Sequence, residues 1–298
     1  MNYRTLKDEV SKKTMFIITL LSMLVVVLMA VGLYIKSSPI LREHSLWSLL
    51  TESEWTPMKN KFGFFPFLVG TMYVTGLSIL IAFPISLFMA IFLVEYSKSY
   101  VKKYVYPLLD ILSGLPSVIY GIWGTLIIIP VISKHLIGNA TTSAGGYSVL
   151  AGGIVLSVMI LPLLVSLFVE IFNSVPHDMR ESSVSLGATK WQTTKSVVLR
   201  STIPGIIASV VIAISRALGE TIAVLMVCGN IPMVPQSLLD ACYPIPSLIA
   251  NNYGEMMSRP LYESALMFAA LILFVVVLVF NVTSRIVLYR LDKSSNQG

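Results

Sequence analysis

Six long apolar stretches, almost free of charge, leave this chain little choice of fold. A helix that crosses a bilayer needs about 20 mostly apolar residues. Windows without Asp, Glu, Lys or Arg cover residues 14–35, 62–94, 111–133 and 264–284. Another, 135–169, has room for a loop and then a helix from about Leu150. The window 201–239 is interrupted only by Arg216 and Glu220. Lipid offers backbone groups no hydrogen-bond partner, so spans of this length are helical. The expected class is therefore all-α: a polytopic membrane protein with six transmembrane helices.

Composition agrees. Charged residues make up 12% of the 298 and hydrophobic residues 55%, whereas soluble domains carry roughly a quarter charged residues. The net charge of +6 would suggest nucleic acid in a soluble protein. Here the basic residues flank apolar windows, which assigns them to topology and makes membrane lipid, not nucleic acid, the expected surroundings. With the N-terminus inside, fourteen of the 21 Lys and Arg fall in cytoplasmic segments and six outside, Arg216 being the last. Both termini are accordingly expected in the cytoplasm. The first window is too long for a signal peptide and no small-residue cleavage site follows Tyr34, so it reads as a retained helix. Three parts are expected: residues 1–64 (N-terminus, first helix and external loop), a permease domain over 65–286, and a cytoplasmic tail over 287–298.

Pro84, Pro116, Pro130 and Pro162 fall inside apolar windows, where each removes a backbone donor and favours a kink. Ser113-Gly114, Gly121, Gly124 and Gly152-Gly153 would let helices approach closely. Cys228 and Cys242 are too few for a disulfide scaffold and read as packing residues.

Arg216 and Glu220 are the charged residues inside a span. The helix around them is expected over about 204–228, with Arg216 near its middle. A charge at that depth costs about 2.5–3.5 kcal/mol or more. Positions i and i+4 share a face, so the two could pair and face protein or a water-filled path. Two readings fit: an ion pair that ties helices together, or a site on a permeation path. Arg presents a planar fork of donors suited to an oxyanion, and one such group would release its ion readily enough for conduction.

The longest basic loop, about 173–203, holds Asp178 and Glu181 at capping-box spacing, with Asp178 as the cap. Val184, Ala188 and Trp191 follow at i, i+4 and i+7 on one expected apolar face. Such a helix suits docking to a cytoplasmic partner and equally an interfacial position on lipid.

There is no G-x-x-x-x-G-K-[ST] loop for ATP and no H-E-x-x-H. His44, His135 and His177 stand apart, and no acid pair or Ser/His arrangement suggests hydrolysis. Asp110 and Glu170 read as interfacial. No catalytic residues, metal or cofactor are expected.

The loop at Glu181 resembles the cytoplasmic EAA loop of ABC importer permeases: Glu181, Gly187, Val197 and Leu199 fall in register. Ser182 and Ser183 stand where that pattern has alanines, and Arg200 where it has proline. Trp55-Thr-Pro57, Phe62-Gly63, Pro66 and Gly70-Thr71 resemble the entry to the second helix of phosphate importer permeases. Residues 110–124 and 147–162 resemble their third and fourth helices. Arg216-Ala-Leu-Gly-Glu-Thr-Ile-Ala-Val-Leu-Met-Val227 resembles the PstC-type signature, the paired PstA type tending to Ala-Pro after Glu-Thr.

This resemblance covers about 55–281. It implies a type I ABC importer permease fold in a plasma (inner) membrane and one half of a path for inorganic phosphate. The implied partners are a PstA-like permease, two PstB-like ATPase subunits that hydrolyse the ATP, and an external phosphate-binding protein. It makes Glu181, Ser182, Ser183, Gly187 and Ala188 an ATPase-coupling loop, and Arg216 and Glu220 residues of the substrate path. The alternatives are an ABC permease for molybdate or sulfate, and a transporter or channel that needs no ATPase.

Overall fold

A computed structural model describes residues 3–137, 145–254 and 260–295. Among them six helices are long and apolar enough to cross a membrane. The sequence-predicted outer Arg259 and the last three residues of the tail lie outside the described residues.

Helix α1 (Tyr3–Glu43) is followed by a short α2 (Leu46–Thr51) and a hairpin of β1 (Trp55–Thr56) and β2 (Lys61–Phe62). Helix α3 (Phe65–Ile91) starts with Pro66 in its first turn, where the missing N–H costs nothing, and ends in a π-helical turn, Phe92–Tyr96. Next come α4 (Ser99–Gly114), α5 (Ser117–Trp123) and α6 (Ile129–Ile132), the last two joined by a π turn. Helix α7 (Val149–Asn173) leads into α8 (His177–Ser185) and α9 (Lys190–Thr193). A π turn (Thr194–Leu199) then joins α9 to α10 (Arg200–Leu218). The chain closes with α11 (Ile222–Val227), α12 (Ile245–Asn252) and α13 (Pro260–Ser295).

Three boundaries differ from the sequence reading, the fifth span starting at Lys190 and not near 204, so that the expected loop over about 173–203 ends before α9. The third span begins at Ser117, not at 111. Pro116 disfavours helical backbone in the residue before it, and Leu115 is extended, with φ −68° and ψ 134°. Residues 111–114 therefore close amphipathic α4. The fifth span does not run to Cys228: α10 stops at Leu218 and α11 starts afresh at Ile222.

The tightest pairing is between α3 and α7. On α3, Ser78, Ala82, Ser86 and Ala90 recur every four residues and are fully buried. Small side chains at this spacing form a flat stripe that lets two helices close up in lipid, where packing rather than water exclusion holds them. Helix α7 answers with Gly152 and Gly153. A Cβ on Gly152 would sit 2.5 Å from Cys228 Sγ, and one on Gly153 2.6 Å from Leu77. Gly121 and Gly124 likewise admit α11 and α7 side chains, while Gly114 faces open space. Cys228 and Cys242 are buried, free thiols on adjacent backbone segments that bond to each other, Cys242 N donating to Cys228 O at 2.9 Å.

The end of α3 nearest the hairpin is covered by aromatic rings. Trp55 packs edge-on against Phe67 at 4.9 Å and Phe64 at 5.2 Å, with Tyr262 and Phe268 joining from α13. Helix α1 contrasts with this. Its apolar window has no buried side chain, and it packs along α13. The two meet where Ile40 N donates to Ser264 Oγ at 3.0 Å and Lys36 pairs with Glu263 at 3.2 Å.

Candidate functional site

Two sets of residues predicted from sequence lie in separate places. Arg216 and Glu220 belong to the break between α10 and α11, and residues 181–188 to the segment between α7 and α10.

Arg216 occupies the last turn of α10, not the middle of a helix. At 1.5 Å per residue it stands about 24 Å along the helix from Arg200. Its side chain is exposed on the surface of the single chain, and among the described residues it has no ion pair or hydrogen bond. The expected Arg216–Glu220 pair does not form. The i, i+4 relation holds only while the helix continues, and this one ends at Leu218 with Gly219 following.

Each charge instead sits at the helix end that suits its sign. Arg216 lies by the C-terminal carbonyls of α10, where the dipole favours a cation. Glu220 lies before α11, and its Oε1 accepts from Ala223 N at 3.2 Å. Glu220 is half-buried and borders a void of about 10 Å³ with Thr71, Thr75, Pro244 and Pro246. That is about the room one water needs. Thr71 Oγ1 accepts from Ile245 N at 2.9 Å, fixing the start of α12 against α3. Pro244, from the non-helical stretch 228–244, borders this void together with side chains of α3, α7, α10, α11 and α12, and non-helical backbone is tolerated at membrane depth only inside protein or beside a water-filled cavity.

The second site is the segment from Pro176 to Thr193. The capping box expected at Asp178 is absent: α8 begins after Pro176 without a side-chain cap, and Asp178 lies in the first turn. The box forms eleven positions later. Thr189 Oγ1 accepts from Gln192 N at 3.3 Å, and Gln192 Oε1 accepts from Thr189 N at 2.8 Å. The single apolar face through Val184, Ala188 and Trp191 is also absent. Gly187 adopts φ +84°, a left-handed conformation that ends α8 and turns the chain into α9. Glu181 and Ser182 are exposed and Ala188 is half-buried. Ser183 Oγ meets Thr193 Oγ1 at 3.0 Å, which ties α8 to α9.

What the segment leaves exposed is four large apolar side chains within residues 179–191. Met179, Val184 and Trp191 are each about half exposed, and Leu186 is 89% exposed. Apolar side chains exposed in such number on one short segment suit an interaction site.

Sequence reasoning did not find Arg180 and Glu95, which are 85 positions apart. The Arg180 guanidinium lies 3.2 Å from Glu95 Oε1, with the two side chains 13% and 9% exposed. It also donates to the carbonyls of Val175 at 2.5 Å and Phe172 at 2.6 Å. A cavity of about 870 Å³ opens beside the pair, lined also by Lys102, His177, Glu181 and Lys190. Asp110 and Glu170 are exposed on a smaller hollow nearby. His135 and His177 are exposed and His44 packs edge-on against Phe62. Among the described residues no three His, Cys, Asp or Glu side chains gather as a metal site would need.

Residues 82–296 match the family described as binding-protein-dependent transport system inner membrane component. Among named relatives, a phosphate transport system permease protein PstC from Xylella fastidiosa is 34% identical over 260 residues, covering 83% of this chain and 80% of the relative. The PstC of Haemophilus influenzae is 30% identical over 97% of this chain and 96% of its own length. A probable PstC from Methanocaldococcus jannaschii is 36% identical over 76% of this chain and 75% of its own. Among solved structures, the inward-facing MetNI methionine ABC transporter superimposes with a TM-score of 0.56 at 17% identity, over 76% of this chain and 94% of that one.

Proposed function

The chain belongs to the family of binding-protein-dependent transport system inner membrane components, and on that premise we propose that it is the PstC-type subunit of an inorganic phosphate importer. It is a multi-pass permease subunit of an ABC importer with a type I permease fold. The finer reading makes it one half of the translocation path, paired with a PstA-like permease, two PstB-like ATPase subunits and an external phosphate-binding protein. ATP chemistry belongs to the ATPases, and both termini lie in the cytoplasm. Support for phosphate comes from the names of the relatives over three-quarters or more of the chain.

One observation carries the mechanism: an exposed guanidinium without a partner among the described residues, on the last turn of a membrane-spanning helix. Lipid is a costly neighbour for such a group. A second permease subunit across a shared aqueous path would remove that cost. Arg216 would then present up to five N–H donors to a passing phosphate. Glu220, held at the start of α11, would repel the anion on one side, so that binding stays weak enough for release.

The α8–α9 turn supplies the other half of the reading. Its exposed Met179, Val184, Leu186 and Trp191 fit a groove on an ATPase subunit, so that ATP binding there moves α8 and changes which side of the membrane the path opens to.

The test is uptake of labelled phosphate into proteoliposomes holding the complete complex. Arg216→Ala is expected to abolish uptake while the subunits still co-purify. Normal uptake by this variant would remove Arg216 from the path, and a preference of the wild-type complex for sulfate or molybdate would overturn the substrate.

A further inference from the structure

We infer that Arg180 and Glu95 form the link by which movement of the α8–α9 turn reaches the membrane-embedded pair α3–α7. The inference rests on the proposed coupling to an ATPase and names the residues that carry it.

Helix α8 has no buried residue. It is joined to α7 through residues 174–176 and to α9 through Gly187, whose φ of +84° belongs to a turn. Apolar packing therefore does not fix α8 on the bundle. The Arg180 side chain does, because one planar group meets acceptors on two spans. Nη2 donates to Phe172 O in the last turn of α7, and Nη1 to Val175 O just beyond it. Nε donates to Glu95 Oε1, at the end of the α3 span, at 3.2 Å. The last carbonyls of α7 accept from Ser174 N and Val175 N; the guanidinium adds a further donor to Phe172 O, and a cation suits the negative end of the helix dipole.

Glu95 reaches this position through the π turn at Phe92–Tyr96. One extra residue in a helical turn rotates everything after it by about 100° relative to an unbroken α-helix. The pair is largely shielded from water, so its attraction is weakly screened, and removing one partner leaves a desolvated charge. A displacement of α8 consequently pulls α3 and α7 together. Those two helices are closely packed along the Ser78–Ala90 stripe.

Lysine could not replace this arrangement. Its ammonium is a point donor, while Arg180 spans three acceptors in a fixed plane.

The complete complex in proteoliposomes provides the test, with ATP hydrolysis and phosphate uptake measured on the same vesicles. Arg180→Ala and Arg180→Lys are expected to keep hydrolysis within about twofold while phosphate moved per ATP falls roughly tenfold. Glu95→Gln should shift the ratio in the same direction by less. An unchanged ratio in Arg180→Ala overturns the inference. So does loss of the subunits on co-purification, which would make the pair an assembly contact only.

A second measurement is independent of the substrate. Spin labels at exposed Asp178 on α8 and Phe88 on α3 should keep one separation with and without ATP in the wild type, and spread over many in Arg180→Ala. Identical distributions in both would overturn the link. A wild-type complex that hydrolyses ATP without moving phosphate, yet keeps the rigid label separation, would sink the proposed substrate and leave the link standing.

Discussion

The α3–α7 pair and the α8–α9 turn are adjoining regions held by opposite means. The helix pair is held by shape: a row of small side chains on one helix, two glycines on the other, and no charge between them. The turn has hardly any apolar burial of its own and is held by directed polar contacts, with Arg180 on three acceptors, Ser183 on Thr193, and Thr189 with Gln192. Shape complementarity resists sliding in every direction and fails by overpacking. Polar ties fix one geometry and fail singly. On the proposed reading, an element that follows an ATPase subunit while its neighbour keeps a seal needs this division.

The largest expected effect breaks the first half of that contrast. Gly152→Leu places a side chain where Cβ alone would lie 2.5 Å from Cys228 Sγ and 3.2 Å from Val74. Overpacking of this kind costs about 1–3 kcal/mol in a forgiving core, and the fully buried stripe has little room to yield. The variant should lose its monodisperse peak in detergent size exclusion. A wild-type profile would show that the interface is looser than its contacts imply.

A middle effect probes the second half. Thr189→Ala removes the cap of α9, a loss of about 1 kcal/mol. Faster hydrogen exchange should appear at Gln192 and Thr193 and leave α7 untouched. Spread of the change into α7 would mean that the turn and the helix pair are one cooperative unit.

The smallest effect asks whether dryness gives a polar tie its value. Glu54 and Lys61 pair at 2.6 Å on the hairpin, both about half exposed. Lys61, followed by the Thr56 hydroxyl, holds the Glu54 carboxyl below its ordinary value of 4.5, and Glu54 raises the Lys61 ammonium. For Glu54 the stabilisation is present above the ordinary carboxylate range and disappears as pH falls through the lowered value. For Lys61 it is present below the ordinary ammonium range and is lost as pH rises past the raised one. Exposed pairs contribute little, so Glu54→Gln should move the melting temperature at pH 7 by less than about 2 °C. A larger shift would make water exclusion irrelevant to the comparison.

The six spans were readable because lipid imposes a length and a polarity that any window test detects. The misread boundary at residue 111 has a local cause. Charge-free Ile111, Leu112 and Ser113 extended the window, although Pro116 signalled the break. At Arg216 the error was one of continuity. The spacing to Glu220 is right for a pair on one helix, but Gly219 ends that helix between them. Asp178 had the spacing of a cap, yet Pro176 already supplied a start to α8. Arg180 and Glu95 could not be read at all. Nothing local joins residues 85 apart, and the π turn that aims Glu95 has no sequence signature as plain as a proline. Gly187, by contrast, stands where the resemblance expects a glycine and is a left-handed turn in the fold.

Helix α1 makes its principal contact with α13, five spans later in synthesis. During insertion it must therefore wait in lipid while everything between it and its companion is threaded. Its exposed hydroxyls, on Thr14, Thr19 and Ser22, donate to carbonyls of their own helix, so the span can wait in that way without an escort. Closure by α13 then joins the two ends of the bundle, through Ile40 and Ser264, as a final check that every intervening crossing has been made.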